Sequence, residues 1–228
     1  LSGYPVGAKM ISNYYNAGSI NKPTATKMFS FCSTSGPMFI IGTVGIAVFN
    51  STKIGYILLI GHIIGSFLNG LLYRGKNLNI DIQTSSPPNT NSLNDTVYDS
   101  IISILLVGGY IIFASVIIEL LKLSNILPFI AETICIIPCF NYDAVYAILC
   151  GIIEITNGLI LLGSTNINLN IKVIISSAII AFSGICIMLQ STAFLNKIGI
   201  KKSTMLKQKI TQAIFTTLVT TLIVFITL

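Results

Sequence analysis

Glu154 is the residue whose chemistry most needs an explanation. It stands inside an apolar run, residues 142–163, beside Thr156, Asn157 and Gly158. A carboxylate at membrane depth costs about 2.5 to 3.5 kcal/mol even on lenient insertion scales, so it needs a partner, water or a proton. Gly151, Glu154, Asn157 and Gly158 fall on one helical face at i, i+3 and i+4 spacing. Two uses fit that face. Glu154 could be a ligand for a solute or a cation, with a proton relay as a variant, or it could be a carboxyl that caps a broken helix.

Two further groups have the types and spacing for polar recognition. Ser33, Thr34 and Ser35 precede Gly36 and Pro37, where a proline interrupts helical hydrogen bonding and frees backbone groups; a surface turn is the alternative. Ser176, Ser183 and Gln190 recur every seven residues, about two helical turns, with Ser177, Gly184 and Ser191 as the adjacent stripe. This stripe could line an aqueous path or serve tight helix packing through small residues, although Gln190 is larger than packing requires. The candidate substrate site is therefore Glu154, Thr156, Asn157, Ser33, Thr34, Ser35 and Gln190. His62, spaced with Gly55 and Asn69 on another run, is expected to face protein.

Other chemistries lack their residues. The five cysteines form no CxxC pair and have one histidine to join them, which argues against zinc, haem or iron-sulfur ligation. No phosphate-binding loop, serine-hydrolase or metalloprotease motif occurs, and no nucleophile is paired with a base. No cofactor, no metal, no enzymatic activity and no nucleic-acid partner are expected.

The elements that must position these residues are membrane helices. Only 9% of the 228 residues are charged, 53% are hydrophobic, and mean hydropathy is +0.86, so a water-facing globule cannot be built. Apolar runs approach the roughly 20 residues a bilayer helix needs at 54–73, 101–121, 142–163, 171–195 and 210–228, and 126–140 is shorter and reads as interfacial or re-entrant. A polar linker at 74–98 divides a first membrane half, 1–73, from a second, 99–228. The lysine-rich loop with Lys197, Lys201, Lys202, Lys207 and Lys209 is cytoplasmic by the positive-inside rule. The charge asymmetry is strong only if residues 29–49 dip into the membrane and return, a re-entrant hairpin around Pro37.

An internal repeat is a further reading. Gly3 lies 28 residues before Phe31, Glu154 lies 28 before Phe182, and an offset of 151 carries the run at 54–73 nearly onto the last one. The fold expected is thus an all-α polytopic membrane bundle with re-entrant or broken helices, open to reading as an inverted repeat. Its partners are the lipid bilayer, a small solute or coupling cation, and in a homo-oligomer a further copy of itself. The chain starts within a Gly-Tyr-Pro turn, which reads as a fragment with helices upstream.

The segments Gly3-Tyr-Pro-Val-Gly-Ala-Lys9, Phe31-Cys-Ser-Thr-Ser-Gly-Pro37 with the run to Gly45, Glu154-Ile-Thr-Asn-Gly158 and Phe182-Ser-Gly184 resemble the sporulation integral membrane protein YlbJ family. That group contains the nucleoside-recognition, or Gate, domain also related to concentrative nucleoside transporters. The resemblance implies a multi-pass cell-membrane protein of an endospore former, tied to the spore cortex and transporter-like or channel-like. The competing class is a non-transporting scaffold that recruits cortex or envelope factors through the linker or the lysine-rich loop.

Overall fold

The computed structural model describes residues 3–74, 93–137 and 140–228. The linker expected over 74–98 falls largely outside these residues, as does Pro138. Helix starts follow local capping chemistry. After α1 (Val6–Asn16), Asn21 accepts from the Thr24 amide at 3.0 Å and opens α2 (Lys22–Cys32), with Pro23 in its first turn. A π-helix (Met38–Val48) follows Pro37, and Ser51 then caps α3 (Thr52–Leu72). The rest of the chain supplies α4 (Leu93–Leu123), α5 (Ile126–Cys135), α6 (Tyr142–Ile153), α7 (Ile155–Ser164), α8 (Leu169–Phe182), α9 (Gly184–Leu195) and α10 (Lys202–Thr227). Four stretches are long and apolar enough to cross a membrane: α3, the body of α4, α8 with α9, and α10. The protein is an all-α, multi-pass membrane protein, and no strand occurs among the described residues.

Direction, which apolar length cannot report, corrects three expectations. Residues 29–49 do not dip and return. Phe31 of α2 packs on Gly70 of α3 and Gly45 of the π-helix on Gly55, so the two pieces run along α3 as one interrupted crossing. Residues 142–163 do not span. A Cβ on Gly158 would lie 2.5 Å from the Gly151 nitrogen, so α7 folds back on α6 and Glu154 is the tip of a re-entrant hairpin. Residues 171–195 are not one continuous helix, because Ser183 and Gly184, both at φ 68°, separate α8 from α9.

Lys209 is a fourth correction. It is not in a basic loop but one and a half to two turns into α10, and only 1% exposed. The remaining basic residues still divide unequally. Gly199 sits against the Lys22 ammonium, so the α1–α2 turn and the segment before α10 share one end of the bundle with Arg74. Lys53 bonds the Thr227 carbonyl at the opposite end.

α3 and α10 are the antiparallel centre. Gly61 meets Thr220 and Gly65 meets Thr216, a Cβ on Gly65 falling 2.6 Å from the Thr216 Cα, so only hydrogen allows this approach. The offset of 151 carries Gly65 onto its own contact partner Thr216, as a two-fold axis through that point requires. It likewise carries α2, its break and the π-helix onto α8, its break and α9. Element order and register are those of an inverted repeat. The halves differ in that the π-helix stays along α3, whereas α9 leaves α10 for α1 and α4.

Single cysteines placed in a cysteine-free background test the orientation. Asn16→Cys and Lys201→Cys should be labelled from the cytoplasmic side and Asn166→Cys, between α7 and α8, from the other; labelling of Asn16→Cys and Asn166→Cys from the same side would contradict the directions assigned here.

Candidate functional site

The interruptions meet. Residues 3 and 4, the break at 35–36, the hairpin tip at Glu154 and α9 together line a cavity of about 290 Å³, a size suited to a small solute. Its polar lining comes from Tyr4, Ser35, Gly36, Glu154, Thr156 and Gln190, and Val107 and Ile111 of α4 close one side.

Glu154 is 1% exposed and extended, at φ −141° and ψ 121°. One carboxylate oxygen accepts from the Thr156 amide at 3.0 Å. The other accepts from the Asn157 amide at 2.8 Å and from the Asn157 side chain at 3.0 Å. It is therefore the N-cap of α7, meeting donors that hydrocarbon would leave unpaired, and the positive end of the helix favours its charge. Of the two uses read from the sequence, the observed geometry is that of the cap, and the same residue lines the cavity. Asn157 stands behind it, bonding Ser115 of α4 at 2.9 Å and thereby tying the hairpin tip to that helix.

Ser35 is held by His62, whose Nε2 accepts from the Ser35 amide at 3.0 Å. That bond assigns the other proton to Nδ1, which has no hydrogen-bond partner among the described residues. Gln190 donates to the Cys186 sulfur at 3.4 Å, while its Oε1 is buried and without a protein partner among the described residues. Gln190 and the Glu154 carboxyl both belong to the cavity lining, and a carboxylate there is an acceptor for a solute that presents N–H or O–H donors.

Of the seven residues singled out from the sequence, Glu154, Thr156, Ser35 and Gln190 line this cavity. Asn157 acts on Glu154. Thr34 instead lines a second, more apolar cavity of about 430 Å³ with His62, Ser66 and Phe67. Ser33 contributes its carbonyl to Lys209. The serine stripe is split at Ser183, with Ser176 and Ser177 buried in α8.

Sequence reading missed the side chains that finish the broken ends. α2 stops in mid-bundle, leaving its last carbonyls without helical partners. Asn69, 0% exposed, donates to Ser30 O at 2.7 Å and also to Gln208 O at 3.1 Å, and it accepts from Thr211 at 2.7 Å. Lys209 donates to Ser33 O, and Gln208 to Thr26 O at 2.9 Å. Lys209 reaches Tyr4 Oη at 3.4 Å, and that hydroxyl points at Ile180 O near the end of α8 from 3.5 Å. The available signal was the recurrence of Gln208, Gln212, Thr216 and Thr220 every four residues along α10.

The chain is similar to the sporulation integral membrane protein YlbJ of Bacillus subtilis (strain 168), with 26% identity over 227 residues covering 88% of this chain and 56% of the relative. This likeness supports a place in the YlbJ family. The chain spans about half the length of that curated relative. No family model matches, and no solved structure matches.

Removing the Glu154 carboxyl should destabilise the protein before any question of transport arises. Glu154→Ala strands two partly buried amides and should cost roughly 1 to 3 kcal/mol, whereas Glu154→Gln keeps one acceptor and should cost less. Thermal unfolding in detergent reads both, and equal stability of Glu154→Ala and the parent would remove the capping role.

Proposed function

We propose that this member of the YlbJ family is a transporter-like or channel-like membrane component acting during endospore formation, and that the cavity between Ser35, Glu154, Thr156 and Gln190 receives its solute. What carries the reading is the convergence of the interruptions on one partly open, largely apolar cavity whose few polar groups come from the broken ends. Breaking helices at membrane depth is costly unless the broken ends face protein or line a cavity, and interrupted helices meeting near the bundle centre are how repeat-built transporters form a site.

The name of the Bacillus subtilis relative supports the sporulation setting. The resemblance to nucleoside-recognition proteins nominates nucleosides, and the expected link to the cortex nominates cortex precursors, as solutes to try. Both carry several N–H or O–H donors of the kind the lining accepts. In this mechanism Glu154 accepts from the solute, while Asn157 and His62 hold Glu154 and the Ser35 backbone in place.

Full-length protein in liposomes, screened with labelled nucleosides and cortex precursors, tests the proposal. Glu154→Gln should remain folded and lose about tenfold or more in uptake, the effect of one charge-assisted hydrogen bond of about 1.5 to 3 kcal/mol. A full panel neither bound nor moved, together with normal sporulation of the Glu154→Gln strain, would instead favour the scaffold.

A further inference from the structure

Lys209 is a cation in the wrong place for a surface lysine. Its side chain is buried between α2, α3 and the segment before α1, and no carboxylate lies within ion-pair distance of it among the described residues. An ammonium taken out of water without compensation is expensive. Here its three protons have three oxygen acceptors: the Ser33 carbonyl, Gln212 Oε1 at 3.2 Å and Tyr4 Oη at 3.4 Å. The Tyr4 ring face lies 4.7 Å from Nζ and that of Phe29 5.7 Å, adding cation–π attraction.

This is the chemistry of a monovalent-cation seat. The Ser33 carbonyl follows the end of a half-helix, where the dipole is negative, and unwound carbonyls and half-helix C-termini are what hold a coupling cation in broken-helix transporters. A neutral amide carbonyl and a phenol oxygen complete a hard-oxygen set that bears no formal charge. We propose that Lys209 is a tethered cation, its ammonium filling a seat whose oxygens would otherwise suit Na⁺, so that the bundle needs no mobile metal ion to hold the broken ends of α2 and α8 together.

The titratable side chains around Lys209 are Tyr4 from the segment before α1 and His62 of α3, with Phe29 of α2 as the aromatic wall.

The seat can be tested with no assumption about transport, by thermal unfolding of purified full-length protein in sodium chloride, methylammonium chloride or choline chloride at matched ionic strength. The parent should unfold at the same temperature in sodium and choline. Lys209→Ala should unfold at a lower temperature in choline and regain part of the loss in sodium or methylammonium, while Lys209→Met, which keeps the space filled, should gain nothing from either. Folded yield of Lys209→Ala extracted in each salt gives the same comparison if the variant is too unstable to purify. Specific stabilisation of the parent by sodium, or a Lys209→Ala variant indifferent to every cation, would overturn the proposal. A liposome panel in which nothing is moved would remove the solute reading and leave this result standing.

Discussion

Hydrocarbon forms no hydrogen bonds, so a helix that ends halfway across a membrane must have its last carbonyls and first amides met by protein. The structure follows from this constraint. α2 ends at Cys32, α6 gives way to α7 at Glu154, and α8 ends at Phe182. Each end is met by a dedicated group. Asn69 and Lys209 serve the carbonyls at the end of α2, Glu154 the amides at the start of α7, and Tyr4 approaches the end of α8. Because these donors and acceptors must reach the ends they serve, the ends are drawn to one level and a polar space is left among them.

The α3 and α10 pair makes that arrangement rigid. Its small residues bring two backbones close enough for side chains of either helix to cross to α2 at one end of the contact, and Asn69, Gln208 and Lys209 are all carried on this pair. Packing of small residues and polar bonding across helices are the two forces available between helices in lipid, and here they act on the same surface. α4 contributes least to this core and presents Ile104, Leu105, Ile112 and Phe113 outward, as a helix bathed in acyl chains would. Its inward contributions are Ser103, which accepts from Lys9 at 3.1 Å, Ser115 on Asn157, the buried Ala114 and Ile118, and the apolar wall of the cavity.

Glu154 brings to a helix cap more acceptor capacity than the cap itself uses. A cap that needs only to satisfy two amides could be a serine or an asparagine. A carboxylate has lone pairs beyond those the amides of Thr156 and Asn157 engage, and its side of the hairpin tip borders the cavity. Lys209 stands in the complementary position, a fixed positive charge at a negative helix end. Neither is an ion-pair partner of the other, so the bundle holds two opposite charges apart, each balanced by backbone dipoles.

The amino-acid sequence by itself determined the class of the protein. So few charges, with apolar residues in continuous runs of about 20 rather than in short alternating stretches, point to helices in a bilayer, because hydrocarbon offers backbone polar groups no partner and a helix pairs nearly all of its own. The sequence also marked Glu154 and the residues before Pro37 as costly in lipid, and its internal offset already matched the repeat. Tertiary structure alone decided direction and partnership. One extended residue at Glu154 turns an apolar run back on itself, while the break at residues 33–37 lets the chain continue onward, and hydropathy is the same for both outcomes. Lys209 reads as one of several lysines in a basic stretch, since a lysine's cost depends on the acceptors around it, and those come from Tyr4 and Ser33, far away in the chain.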